Sequence, residues 1–538
     1  MDECHFSEQN FNKYSPLSNK KVQSKQSLPI LFARTNQLLL ALIAIGQIAQ
    51  GLALSNSLAG QRFVGFDLGT SGARISVIEP TSVSNATIEE IYSKAITWSD
   101  CGSYDDAEAW MIAIESLLMD VSNNLEGGLR SVTRVCVSGT SASCLVVDRK
   151  SQAVTRGARM YDYDILTAAS DDKKKYAEQA LACIERHVPK KHTARARTGS
   201  LAKLLCWAYE SPLQKSESLC HQSEFVAMKL MGSFHPIKSD WHNCLKLGYD
   251  VRNTCWPDWI KNCLNDAGVS TPSDNDILGA VPTEVVSPGA PMGTISREMA
   301  DRLGLQEGTV VVGGTTDSNA AFFAAAGTKP SFATAVTSLG STTAIKLLSP
   351  QYIEDASRGV YSHRFPIFDG VDGSNDKKEL WLVGGASNVG CVIFRTLNFS
   401  NDELESLSKN IDPMKDSPLS YYPLVMKGER FPVADPYKEP ILDPVPESRQ
   451  EYLHGLLQSI ANVESGGFHV LGELGAPLPK LVLSCGGGAK NSMWTKMRQR
   501  LLAEALGVPD IQVKRAVNTE ASFGAALLAA AMVALVTK

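Results

Sequence analysis

The residue best suited to chemistry is Asp317, in the stretch TVVVGGTTDSNAAFFAAAG at 309–327. An apolar run at 309–312 predicts a buried strand. Gly313 and Gly314 follow, and then a small-residue helix over 319–326. A strand–glycine–acid–helix junction presents a carboxylate near a helix N-terminus, at the mouth of a sheet. Two roles fit that position. Asp317 caps the helix, worth about 1 kcal/mol, or it accepts a proton from a substrate hydroxyl as a general base. The two roles are compatible.

A general base of this kind needs an electrophile nearby, and two glycine turns offer to hold one. The stretch FVGFDLGTSGARISVI at 63–78 reads as strand, tight turn, strand. Its turn carries Gly69, Thr70, Ser71 and Gly72, whose N–H and O–H groups make a concave anion site suited to phosphate. Asp67 would repel phosphate, but it suits Mg²⁺, a hard cation that takes carboxylate directly or through water. The pattern recurs at 333–348, ATAVTSLGSTTAIKLL, with Gly340, Ser341, Thr342 and Thr343 at the tip. A duplicated donor-rich hairpin suggests two similar halves facing one nucleotide. A third glycine turn, Gly486, Gly487 and Gly488, follows a strand at 480–484 and precedes a helix from about residue 492. Bare backbone and a helix N-terminus there suit a ligand, although the spacing is not that of a dinucleotide fingerprint. Asn491 is placed to bond adenine or ribose. Trp494 either stacks on a base or packs in the core.

The elements that must position these groups follow from periodicity and composition. At 538 residues the chain is too long for one core, so two domains are expected. Hydrophobic content of 44% with 20% charged residues is a globular balance. A net charge of −5 gives no electrostatic case for nucleic acid or an anionic membrane as partner. The 12 cysteines include no CxxC pair, so they read as free thiols and argue against structural zinc. Residues 1–60 are different. They are basic, rich in Ser, Asn and Gln, and hold no acid after Glu8, the composition of an organelle transit peptide. The apolar run at 38–46 is shorter than the roughly 20 residues a membrane span needs.

Helical spacing of Trp110, Ile114, Leu117, Leu118 and Val121 predicts an amphipathic helix over 105–125. Residues 131–148 then read as strand, turn, strand, with Ser138, Gly139, Thr140 and Ser141 at the turn. Small hydroxyl residues there serve a polyol or simply the turn itself. RMYDYD at 159–164 brings two carboxylates and two phenols together. These suit sugar hydroxyls, or else a solvated surface. A long helix is expected over 449–471 and a small-residue helix over 520–528.

In order, DLGTSG at Asp67, GGTTDSNAA at Gly313, SLGSTT at Ser338, GGGAKN at Gly486 and EASFGAA at Glu520 resemble the FGGY carbohydrate kinases. The loops SDWHNCLKLGYD and GERFPVADP resemble further blocks of that family, and the resemblance runs from about residue 62 to the end. Within the family, the chain is most similar to the plant plastid xylulose-kinase-like proteins assigned as D-ribulose kinases.

The resemblance implies an α/β fold of two actin/hexokinase-like (ribonuclease H-like) domains, at 61–315 and 316–538, closing on ATP·Mg²⁺ and a sugar. It implies Asp317 as general base and Asp67 on Mg²⁺. Gly69, Thr70 and Ser71, with Gly340, Ser341 and Thr342, would hold the phosphates. Gly487, Gly488 and Asn491 match the adenosine block. Thr140, Ser141 and Asp162 are expected at the substrate, with Asp164 as the alternative to Asp162. Many xylulokinases and glycerol kinases carry Gln with a nearby Met-His where this chain has Thr140, Ser141 and Ala142. That difference favours ribulose or a related polyol over xylulose. The leader and the subgroup together imply the plastid stroma, with mitochondrion or cytoplasm as alternatives. Whether the chain is a monomer or homodimer stays open.

Overall fold

The computed structural model describes residues 60–80, 88–269, 279–367 and 379–532. The expected leader therefore lies, apart from Gly60, outside the described residues. Two sheets organise the chain. In the first, β1 (Arg62–Leu68), β2 (Gly72–Pro80) and β3 (Ile88–Thr97) form an antiparallel meander. After helix α1 (Ala107–Asn124), strand β4 (Val132–Gly139) joins β1 in parallel. Valine and phenylalanine supply the bulk of β1 and β4 because both faces are covered, and every residue from Phe63 to Leu68 is buried. Helix α1 starts where Asp106 accepts the N–H of Glu108, and it buries Trp110, Ile114, Leu117, Leu118 and Val121 on one face.

The expected strand–turn–strand at 131–148 is present, but its two strands part. β5 (Cys144–Asp148) leaves the main sheet to pair with β6 (Val154–Arg159) and β7 (Glu217–His221). Between β6 and β7 run α2 (Lys174–His187) and α3 (Ser200–Glu210). Then come α4 (Gln222–Met231), β8 (Lys238–Asp240), α5 (Asp258–Asp266) and β9 (Glu284–Val286), with β8 and β9 paired in parallel. β10 (Pro291–Thr294) and β11 (Val310–Val312) complete the first sheet, in the order β10-β11-β4-β1-β2-β3. The two-residue strand β12 (Thr315–Thr316) also pairs with β4 and leads directly into helix α6 (Asp317–Ala326).

The second sheet repeats the plan. β13 (Thr334–Leu339) and β14 (Thr343–Ser349) form an antiparallel hairpin. β15 (Tyr361–Phe365) and β16 (Leu380–Ser387) extend it on one side. After the 25-residue helix α7 (Arg449–Glu473), β17 (Leu481–Cys485) joins β13 in parallel. Helix α8 (Ser492–Leu506) then connects to β18 (Gln512–Arg515), which lies parallel to β17. In both sheets, then, a hairpin strand has its antiparallel partner on one side and a parallel strand on the other. This is the duplication that the two glycine turns suggested.

The last helix, α9 (Ala521–Ala531), ties the halves together. It packs on β1 and β4 of the first sheet and on α6. Only small residues allow so close an approach. A methyl group at Gly65 would lie 2.0 Å from the Ser522 carbonyl oxygen, and one at Gly524 only 1.8 Å from that of Ala320. The Ser76 and Ser522 hydroxyls bond across the same seam at 2.8 Å.

Candidate active site

Asp317 is the first residue of α6, brought to the end of β4 by the short β12 pairing. The residue at the cap position is Thr316, whose side chain makes no capping bond; the Asp317 carboxylate accepts the N–H of Ser318 at 2.6 Å. Asp317 is partly buried. Burial raises its pKa, opposed by the Ser318 N–H and then by the Lys346 and Lys246 ammonium groups.

Asp67, the penultimate residue of β1, lies close enough to feel the Asp317 charge. Its carboxylate is 3% exposed. It accepts the Ser138 hydroxyl at 2.9 Å and lies 3.7 Å from the Arg74 guanidinium. Burial, and next the charge of Asp317, push the Asp67 pKa up to about 7, against Ser138 and Arg74. The Asp317 charge thus bears on Asp67, with Arg74, Lys346 and Lys246 as the cations around the two acids. Carboxylate oxygens are ligands that Mg²⁺ takes, so the donor set fits that ion.

On the other flank of Asp317 stands Lys346, from β14. It is 8% exposed, and its ammonium donates to the Ser318 hydroxyl at 3.1 Å and to the Asn319 side-chain oxygen. Burial lowers its pKa to about 7 despite the pull of Asp317. The base position is thus bracketed by one strand from each duplicated hairpin. The only sequence signal for Lys346 was a lysine within an apolar strand, TAIKLLS.

The tips themselves are open. Gly69 donates to the Gly72 carbonyl at 3.0 Å and closes the first turn, leaving Thr70 and Ser71 exposed. The Trp98 indole anchors the turn by donating to the Gly69 carbonyl at 3.0 Å. In the second turn, Gly340 donates to the Thr342 carbonyl at 3.1 Å, and Ser341 and Thr342 are exposed. The Gly486–Gly488 turn abuts this second tip: a methyl group at Gly486 would meet the Leu339 carbonyl oxygen at 2.6 Å and the Gly340 nitrogen at 3.2 Å. Gly486 has φ +81°, which favours glycine. Gly487 is exposed and faces open space.

Other expected site residues are engaged elsewhere. Trp494 is 1% exposed, and its indole donates to the Leu457 carbonyl at 2.9 Å. It packs edge-on to Phe394 and sits under Gly488, so its ring is core and has no free face for a base. Asn491 caps α8, accepting the Trp494 N–H at 3.0 Å while its amide donates to Ser408 at 2.8 Å. Thr140 is 2% exposed, and both its N–H and its hydroxyl reach the Gln222 side-chain oxygen at 3.1 Å. It builds the turn, while Ser141 is the partly exposed hydroxyl beside it. Asp164 is committed to the N–H groups of Leu166 and Thr167 and to Arg197 at 2.9 Å. Asp162 is exposed and free of such bonds, close enough to Tyr104 and Tyr161 for its charge to raise both phenols.

A lysine that the sequence reading passed over fixes these two segments. Lys203, in the apolar helix α3, is fully buried and donates to the carbonyls of Ala142 at 2.8 Å and Met160 at 2.6 Å. Ala142 holds φ +68°, a strained conformation for a residue with a side chain. Burial pulls the Lys203 pKa down to about 8.

Comparison with known proteins agrees with this architecture. Residues 335–533 match the FGGY family of carbohydrate kinases, C-terminal domain. That match identifies residues 335–533 as a domain of carbohydrate kinases. The fold of the whole is similar to that of xylulose kinase from Rhodospirillum rubrum, at 18% identity and a TM-score of 0.65, covering 87% of this chain and 89% of that one. Glycerol kinase from Plasmodium falciparum, solved with ADP, gives 13% identity and a TM-score of 0.66 over 88% and 90% of the two chains. Gluconate kinase from Lactobacillus acidophilus gives 14% and 0.65 over 89% and 90%. The chain thus shares its fold with these solved kinases.

Proposed function

We propose that this chain is an ATP-dependent kinase of a ketopentose, D-ribulose before others, transferring the γ-phosphoryl group to a sugar hydroxyl. The observation that supports the reading is Asp317 at a helix start, its charge acting on Asp67 of the first hairpin and itself offset by Lys346 of the second. Asp317 accepts the acceptor hydroxyl's proton as its oxygen bonds to phosphorus, while the bond from phosphorus to the ADP oxygen breaks and ADP leaves. The N–H and O–H groups of Gly69, Thr70 and Ser71, and of Gly340, Ser341 and Thr342, stabilise charge on the phosphates. Asp67 would hold Mg²⁺, which when bound neutralises phosphate charge. Gly487, exposed and facing open space, leaves room for the nucleoside, and Ser141 and Asp162 address sugar hydroxyls. Closure of the two domains excludes water and limits futile hydrolysis.

Ribulose is preferred on the sequence at 140–142, where the xylulokinase pattern of Gln with Met-His is absent. A coupled ADP-release assay over ketopentoses, pentitols and glycerol tests this. Highest kcat/KM on D-ribulose supports the reading, and a clear preference for xylulose or a pentitol replaces it with that activity. Nucleotide binding with no turnover of any sugar would make the chain a regulatory ATP-binding protein of the same fold. The proposed site of action is the plastid, from the basic, acid-poor residues 1–60. Import of a fluorescent fusion carrying those residues into isolated chloroplasts tests that.

A further inference from the structure

Helices α2 and α5 pack against each other. Cys183 and His187 are four residues apart on α2, and Cys263 and Asp266 are three apart on α5. Each pair therefore shares one helix face. The packing brings the Cys183 sulfur, a His187 ring nitrogen and an Asp266 carboxylate oxygen within 4.8 Å of one another. His187 Nε2 lies 3.1 Å from Asp266 Oδ2. Cys183 Sγ is 3.6 Å from the Cys263 carbonyl oxygen, so Cys263 flanks the cluster while its own sulfur stands outside that 4.8 Å group. Both sulfurs are buried, whereas the His187 and Asp266 side chains are 23% and 28% exposed. The seam thus carries two sulfurs at its closed end and a nitrogen and an oxygen at its open end.

We propose that Cys183, His187 and Asp266, with the neighbouring Cys263 thiol drawn in as fourth ligand on loading, form a structural Zn²⁺ site that fastens α2 to α5. Zinc takes this mixture of sulfur, nitrogen and oxygen in tetrahedral geometry, and its structural sites use four protein ligands. With bonds of about 2.0 Å to nitrogen and oxygen, a tetrahedron sets those two atoms about 3.3 Å apart. The 3.1 Å separation already present is close to that. Thiols exclude Mg²⁺ and Ca²⁺, which prefer oxygen ligands. Loading releases the two thiol protons to solvent and leaves Zn²⁺ with two thiolates and one carboxylate, a net charge of −1. Arg186, whose guanidinium contacts Asp266, stands where that charge is offset. No CxxC motif signals this set, because its two pairs lie 80 residues apart in the chain.

The test uses the full chain, reduced and stripped of metal, with Co²⁺ as the spectroscopic probe. One equivalent of Co²⁺ should give thiolate-to-cobalt charge transfer and the intense visible bands of a tetrahedral ion. One equivalent of Zn²⁺ should bleach them. Cys183→Ser and Cys263→Ser should abolish the charge-transfer band, and Asp266→Asn, at a partly exposed position that the fold tolerates, should weaken Co²⁺ binding by tenfold or more. Zn²⁺ should raise the Tm of the wild type but not of D266N. Each of the following would overturn the proposal: a weak octahedral spectrum only, a thiolate band that survives both cysteine changes, or a Cys183–Cys263 disulfide whose reduction yields no zinc uptake.

Discussion

Replacing Asp67 with asparagine should make the ligand-free protein more stable while abolishing its activity. The carboxylate is 3% exposed and its pKa rises from 3.8 to about 7 on folding, through burial first and the neighbouring Asp317 charge second. A carboxylate raised in this way binds a proton more tightly when folded than when unfolded. Stability therefore falls as pH rises from the unfolded pKa through the folded one. Over the full interval the loss is about 4 kcal/mol, and most of it, on the order of 2–3 kcal/mol, falls between pH 5 and pH 8. Asparagine is neutral, nearly isosteric and still able to accept the Ser138 hydroxyl. The partly exposed Arg74 loses a 3.7 Å partner, a small effect in solvent. The excess stability of Asp67→Asn over wild type should thus grow by on the order of 2–3 kcal/mol from pH 5 to pH 8. The assay is urea unfolding at several pH values without nucleotide or Mg²⁺, with sugar-dependent ADP release measured in parallel. A difference that does not change with pH, or a variant weaker than wild type at pH 8, would refute the electrostatic argument. An active variant would remove Asp67 from the machinery.

Asp317→Ala should lower kcat by about 10²–10⁴-fold with ATP affinity little changed, as isothermal titration and steady-state kinetics will show. Lys346→Met removes a cation that favours the ionised base, so the acidic limb of the pH–rate profile should move to higher pH, and Lys346→Arg should move it less; an unmoved limb would detach Lys346 from Asp317. Lys203→Met should raise the sugar KM and leave the ATP KM near wild type, because its two carbonyl partners are Ala142 and Met160; equal changes in both would point to general destabilisation. Gly524→Val should give little folded protein, since even a methyl group would overlap the Ala320 carbonyl, whereas Gly487→Ala should keep the wild-type Tm and raise the ATP KM.

Much of the scaffold was legible in local pattern. Both glycine hairpins, the helix over Ala107–Asn124 and the strand–glycine–acid–helix junction at Asp317 depend on neighbours in sequence, through alternation, helical spacing and turn chemistry. Other features were not legible, because burial and pairing are settled between distant segments. The stretch at 131–148 looked like one hairpin, yet its strands belong to different sheets. Trp494 offered an aromatic face that the fold turned inward, and the Thr140 hydroxyl went to Gln222, 82 residues away.

What the sequence alone determined is the set of turns able to present donors and the acid set beside them. Those properties reside in glycine, serine, threonine and aspartate at fixed short spacings. Tertiary structure decided which charges meet. It put Asp67 against Asp317, carried Lys346 from the second hairpin to the first turn of the helix beginning at Asp317, and buried Lys203 against two carbonyls. Charge interactions depend on distance and on exclusion of water. Neither exists until the chain has folded.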